Sequence, residues 1–342
     1  MRKLIKKLSD MRGISGYEYY LTDKIAKMFS EYCDEVKIDP LGSVIAVRHC
    51  GAYNAPRLMI EAHCDEIGLM VTSITENGYL TFANVGGVDE RTLPQTEVTV
   101  HGKKDIWGVI GIKPAYLLEQ GKTVKIKDMA VDTGLDAETV REIISVGDSI
   151  TLAQSVGTLG KKQFSGKSLD DRASVAAIMS VMKKIKDADL NIDVYAVAAV
   201  QEEVGCRGGK TTAYGINPDM AVAIDVCHGV TPDNSDNAFE VGTGTVLSVG
   251  PNLHPKLTDA LFATAKAHNI KVSTDVDGGN TGTDAWEIQT ARDGIPTALL
   301  SIPLKYMHTS VETLAVSDVK ATAKLLEQFI KEQKGDIKWL NF

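Results

Sequence analysis

Long apolar runs are missing from this sequence, and so is any block of basic residues. No apolar stretch reaches the length that a membrane-spanning helix needs. The start, Met1-Arg2-Lys3-Leu4-Ile5-Lys6-Lys7, puts charges where the apolar core of a secretory signal would sit, so no such signal is expected. Lysine and arginine number 37 against 45 acidic residues, a formal net charge of -8, which argues against a nucleic-acid footprint. Cysteine is scarce. Cys33, Cys50, Cys64, Cys206 and Cys227 are odd in number and scattered, and none forms a C-x-x-C pair. A reduced, cytoplasmic protein is expected. Aromatic residues make up only 6%, which gives little sign of a cleft that stacks on sugars. Internal repeats and low-complexity segments are also absent.

What is present reads as a soluble α/β chain of 342 residues, long enough for one large domain and a smaller one. Leu4, Ile5, Leu8 and Met11 share one helical face. Ser15-Gly16-Tyr17-Glu18 has the S-x-x-E form of a capping box and is expected to open the next helix, with Leu21, Ile25, Met28, Phe29 and Tyr32 inward. Arg57 to Ala62 reads as a buried strand that delivers His63-Cys64-Asp65. From Leu69 to Phe164 short strand-like runs are punctuated by Asn77-Gly78, Gly86-Gly87, Gly102 and Gly147-Asp148, the rhythm of a small β-barrel or sandwich. A helix starting at Asp136 interrupts it. The α/β pattern resumes at Lys167. A helix follows with Val175, Ile178, Met179, Met182 and Ile185 buried, then apolar strands ending at Gln201, Asp225 and Ile302. The expected fold is therefore α/β, a mostly parallel (mixed) sheet flanked by helices. Residues 1–68 and 165–342 form that discontinuous domain, and 69–164 an inserted small β-barrel.

The strand Ile192 to Ala199 ends on Gln201-Glu202-Glu203, and adjacent carboxylates there need a reason. Neighbouring strand residues point to opposite faces, so Glu202 and Glu203 cannot share one task. One could bind a metal while the other moves a proton, or the strand could simply end in solvent. His63, Asp65, Asp225 and His308 recur in the same setting, just past an apolar strand, and Asp170 sits at a helix start. Ligands bind beyond the carboxyl ends of strands in open α/β sheets. Histidine and carboxylates without thiolates suit zinc, cobalt or manganese, and so many donors suit a pair of ions with a water between them. Asp171 reads as a helix cap, and Cys64, Cys206 and Cys227 as small buried apolar side chains.

H-C-D-E-I-G at His63, S-L-D-D-R at Ser168, Q-E-E-V-G-C-R-G at Gln201, A-I-D-V at Ala223 and K-Y-M-H-T-S-V-E at Lys305 together resemble the dinuclear metallo-aminopeptidase family of the glutamyl, deblocking and tetrahedral (TET) aminopeptidases. That family also carries the label endoglucanase M. The resemblance covers essentially the whole chain and implies a zinc-exopeptidase-like fold. It implies two divalent metal ions per subunit, zinc or cobalt. His63 and Asp225 would hold one, Glu203 and His308 the other, and Asp170 would bridge them. Glu202 would be the general base and then the acid for the leaving amine, and Asp65 would orient His63. It also implies short peptides as substrates, and dimers, joined through the inserted domain, that assemble into a tetrahedral dodecamer. The chain departs from the family at Pro114-Ala115-Tyr116, where Pro-Pro-His is common, and near Cys206 and Thr245.

Other readings compete. A metal-dependent deacylase or aminoacylase could use the same centre on acyl-amino acids. A glycosidase needs two carboxyls facing across a sugar, about 5–9.5 Å apart, which adjacent strand residues do not provide. A binding protein with a structural ion would favour a closed, cysteine-rich site. The preferred N-terminal residue is open. Arg207, Arg292 and Lys305 are candidates for a pocket taking acidic side chains or are surface charges, and the Gly278 to Asp284 loop either lines that pocket or is a turn.

Overall fold

Two helices come first, α1 (Arg2–Ser9) and α2 (Tyr19–Phe29), followed by β1 (Glu35–Ile38), β2 (Val44–Arg48) and β3 (Arg57–His63). Next come β4 (Gly68–Ile74), β5 (Leu80–Val85), β6 (Glu97–His101), β7 (Asp105–Ile112), β8 (Met129–Asp132), α3 (Ala137–Ile143) and β9 (Ser149–Leu152). Then β10 (Gly157–Leu159), β11 (Gln163–Gly166), α4 (Leu169–Ile185), β12 (Asp193–Ala199), α5 (Arg207–Ile216), β13 (Met220–His228) and β14 (Thr245–Val249) follow. The chain finishes with α6 (Pro255–Ala267), β15 (Val272–Val276), α7 (Asp284–Ile288), β16 (Thr297–Lys305), β17 (Glu312–Ala315) and α8 (Val316–Glu332). The structure is a computed structural model that describes residues 1–112, 124–232, 234 and 237–341. Pro114-Ala115-Tyr116 lies outside the described residues.

An eleven-stranded mixed sheet runs β1-β2-β12-β3-β13-β16-β17-β11-β10, with β14 on β16 and β15 on β14. Parallel pairing is confined to the centre, β12-β3-β13-β16, and to β14-β15, while both flanks are antiparallel. The central strands read as continuous apolar runs because both their faces are covered. On one face Val175 and Met182 of α4 and Phe329 of α8 pack on Ile60, Val222 and Leu300. On the other, Ala213 of α5 and Ile288 of α7 pack on Met59, Ala223 and Leu299. Each Val, Leu, Ile, Met or Phe side chain among these contributes roughly 1.5–3 kcal/mol by leaving water.

β4-β5-β8-β7-β6-β9 close into a barrel around Leu69, Val71, Val98, Val100, Val131 and Ile150. Closure leaves no unpaired edge. The barrel is entered at β4, just after His63, and left at the end of β9; β10 and β11 return to the large sheet before α4, so the barrel interrupts the chain between two segments that carry candidate site residues. α3 starts as expected, with Asp136 accepting from Thr139 N–H at 2.9 Å. The expected capping box at Ser15 does not form. Glu18 is the N-cap of α2 and makes no side-chain capping bond there. Both side chains reach across the molecule instead, for reasons that lie in the site. Asp225 also falls inside β13 rather than past its end, because pairing with β16 carries that strand on to His228.

Candidate active site

His63 is the last residue of β3, and Asp225 projects from the neighbouring strand β13. Glu202 and Glu203 follow β12, Asp170 stands at the non-helical start of α4, and His308 lies in the loop after β16. These five segments are far apart in sequence and meet in one place. The two oxygens of Asp170 divide between the two imidazoles: Oδ1 is 3.1 Å from His63 Nε2, and Oδ2 is 3.5 Å from His308 Nε2. Asp225 Oδ1 is 3.9 Å from His63 Nε2, and Glu203 Oε2 is 3.3 Å from His308 Nε2. Glu202 Oε2 approaches His63 Nε2 at 4.0 Å.

The backbone around the site is unusual. Ser168, Gln201, Cys206, Tyr306 and His308 all have φ between 53° and 60°. Left-handed conformations of this kind in residues other than glycine gather at functional sites, where the surroundings over-determine them.

Asp65 organises the floor. It is fully buried, and its Oδ1 lies 3.4 Å from His63 Nδ1. It accepts from Ser15 Oγ at 2.6 Å and from the backbone N–H groups of Glu202 and Glu203 at 3.1 and 3.2 Å. Burial opposes its charge, but His63 and these donors hold its pKa below the ordinary value. Glu18 accepts from the Gln201 N–H at 3.0 Å, so Ser15 and Glu18 brace the site rather than a helix. His308 Nδ1 faces the carbonyl of Gly87 at 3.0 Å, in the loop after β5. A side chain could not replace the hydrogen there, because a Cβ on Gly87 would lie 2.8 Å from that nitrogen.

Glu312 was not singled out by the sequence reading, although it closes the H-T-S-V-E stretch. It is buried and accepts from Leu169 and Asp170 N–H through Oε2 and from His308 N–H through Oε1, so it ties two donor segments together. Asp171 departs from the expected helix cap. It is fully buried, and its carboxylate oxygens have no hydrogen-bond partner among the described residues. Its ligand atom lies within 4.8 Å of those of His63 and Asp225, and those of His63, Asp170 and Glu203 cluster equally closely. Cys64 is buried as expected. Cys206 and Cys227 are only half-buried, and the Cys206 thiol donates to Glu202 Oε1 at 3.2 Å.

So many carboxylates in one dry place are poorly tolerated as anions. Burial, helped by Asp225, Asp284 and Glu203, pushes Glu202 up to about 9. Burial and then Asp170 push Asp225 up to about 8. Burial lowers the basicity of His308, but Asp170 and Glu203 overcome it and raise the group to about 11. A crowded, buried set of imidazole and carboxylate donors without thiolates fits divalent cations. Their charge would let the acids ionise together. Behind the site, burial and the neighbouring Asp284 raise Glu61 well above the ordinary range, so these two carboxyls favour sharing a proton.

A cavity of about 480 Å³ opens at these side chains. Thr281, Gly282 and Thr283 line it, so the glycine-rich loop borders the pocket. Arg207, Arg292 and Lys305 are not among its walls. Arg207 turns to Gln201 Oε1, and Arg292 stacks on Tyr214 with 3.8 Å between guanidinium and ring centre. Among the described residues, no helix is long and apolar enough to cross a membrane.

A family model described as M42 glutamyl aminopeptidase matches residues 42–325. The chain is 35% identical over 341 residues to a lysyl aminopeptidase from Pyrococcus furiosus, covering 97% of each. Its fold is similar to that of an aminopeptidase from the archaeon Desulfurococcus kamchatkensis, with a TM-score of 0.92, 34% identity and coverage of 99% of this chain and 96% of that one. It is likewise similar to the TET1 peptidase of Pyrococcus horikoshii, which can assemble into a tetrahedron or a large octahedral shell (TM-score 0.87, 31% identity, covering 97% of this chain and 99% of that one).

Proposed function

The chain belongs to the M42 glutamyl aminopeptidase family and is an aminopeptidase, a hydrolase of peptide bonds; from that premise we propose that it works through two divalent cations and a glutamate base. The reading rests on one observation. The two oxygens of Asp170 face different imidazoles, each with a further carboxylate beside it. His63 and Asp225 would hold one ion, His308 and Glu203 the other, and Asp170 would bridge them, with zinc or cobalt as the metal. Such ions supply a Lewis acid for the scissile carbonyl and lower the pKa of water toward about 7.

The protein's own groups do the rest. Glu202, left over from the ligand set, takes a proton from the attacking water and gives it to the leaving amine. The Cys206 thiol steadies one of its oxygens. Asp65 fixes the ring of His63 and the backbone of Glu202 and Glu203 in one geometry, as a partner behind a ligand does. The substrates on this reading are short peptides with a free N-terminus. The proposal includes a cytoplasmic location and a catalytic unit of residues 1–68 and 165–342 with 69–164 as the inserted barrel. It also includes a dodecamer, the assembly recorded for a related TET1 peptidase.

The test is Glu202→Gln. It should retain metal, measured by atomic absorption after dialysis, while kcat on an aminoacyl anilide drops by about 10²–10⁴-fold. An N-acetylated anilide should resist the wild type, which separates removal of a free N-terminal residue from deacylation. Full activity in the variant would remove Glu202 from its role.

A further inference from the structure

The cavity does not stop at the candidate cation site. It runs outward over β13, β16, β14 and β15, which lie side by side in that order. Asp225 is opposite Ser301, Ser301 is opposite Val246, and Ser248 is opposite Asp275. Side chains alternate along a strand, so Asp225, Ser301, Ser248 and Asp275 share one face of the sheet, and Asp277 continues it. All of them line the cavity. Three strand spacings and a two-residue offset along the strands separate Asp225 from Asp275, roughly 16 Å between backbones. The far end is thus within reach of a long side chain whose α-carbon sits by the donors.

That end is acidic and uncompensated. Asp275 and Asp277 are half-buried, and no lysine or arginine lines the cavity among the described residues. The two carboxylates feel each other: burial and then the charge of Asp275 raise the pKa of Asp277. Their field also reaches the Cys227 thiol in the same wall, which burial and then Asp275 push up. The segment is firmly seated. Asp277 N–H donates to Val249 O at 2.9 Å, and Gly250 packs so tightly on it that a Cβ would lie 2.0 Å from the Asp277 carbonyl oxygen.

We propose that Asp275 and Asp277 form the subsite for the side chain of the substrate's N-terminal residue and that it selects lysine or arginine. This rests on the aminopeptidase reading of the same cavity. A cationic side chain would neutralise two anions beside which no lysine or arginine lines the cavity among the described residues, whereas glutamate would add a third. Norleucine, which has the lysine stem without the charge, isolates the electrostatic part.

The experiment uses the metal-reconstituted full chain with lysyl, arginyl, norleucyl and glutamyl anilides. The lysyl and arginyl substrates should exceed norleucyl in kcat/KM by about tenfold or more, with glutamyl slowest. In Asp275→Asn/Asp277→Asn that lead should vanish while norleucyl turnover stays within about twofold. Free lysine and norleucine are also titrated calorimetrically, so the pocket is read without turnover, and lysine should bind tighter only when the aspartates are present. The proposal is overturned if norleucyl or glutamyl substrates match lysyl, or if the double variant slows every anilide equally, as it would if the aspartates held the peptide's α-amine. An active Glu202→Gln variant would sink the mechanism and leave the pocket result standing.

Discussion

Glu312 and Asp65 do comparable jobs from opposite sides of the candidate cation site, gripping backbone rather than substrate. Asp65 accepts from Glu202 and Glu203 N–H, and Glu312 from Leu169, Asp170 and His308 N–H. In Glu312→Gln one oxygen becomes a donor that must face an N–H group. Leaving such a buried pair unmatched costs about 1–3 kcal/mol. Cation affinity, followed by competition with a chelating dye, should fall by about 10–100-fold. An unchanged affinity would mean the grip is irrelevant to the ligands. At this scale the sequence was legible where a residue's chemistry is conspicuous in its setting. His63, Asp170, Glu202, Glu203, Asp225 and His308 stand at or near the ends of apolar runs or at a helix start, and all six meet in the structure. Glu312 was not, because two of its three main-chain partners lie 142 and 143 residues away in sequence. Asp171 was hidden by Asp170, since a second acid at a helix start reads as a cap.

The α1–α4 junction shows what holds a donor-bearing helix in place. Arg172 of α4 is fully buried and donates to Leu8, Met11, Gly13 and Cys64 carbonyls. It also meets Glu66 Oε1 at 2.9 Å, while Lys167 meets Oε2 at 2.7 Å. Burial pulls Lys167 below its ordinary range despite this pairing, but Glu66, facing two cations, is held below 4.5 against its own burial. A carboxylate with a depressed pKa stabilises the fold above its unfolded pKa and loses that contribution as pH falls through the folded value. Glu66→Gln should therefore cost about 3–5 kcal/mol at neutral pH, where it strands a buried guanidinium. Melting temperatures of wild type and variant should converge as pH drops below 4.5, and parallel curves would rule the linkage out. Elements with both faces buried were readable as apolar runs, as β3, β12 and β13 are. β8, four residues long, went unread because it carries only two fully buried side chains, Met129 and Val131. The S-x-x-E pattern misled at Ser15 because those side chains were recruited by Asp65 and the Gln201 N–H instead.

At the scale of the whole molecule, the barrel exposes large apolar side chains, among them Trp107 on β7 and Tyr79 before β5. The expected outcome of sedimentation equilibrium is a particle of twelve chains, and a mass of one or two chains would count against the dodecamer. The α/β class and the barrel were legible from texture, since turn signals every few residues stand out against long apolar runs. The proposed assembly rests on the resemblance alone, because quaternary geometry leaves no period in one chain. The barrel also bears on the site. Its β5 loop lends the carbonyl that faces His308, so cutting the barrel out and splicing the ends would strip that imidazole of its Nδ1 partner. What looks like a detachable accessory is the splint behind one ring of the candidate cation site, so barrel and site answer to one shared geometry.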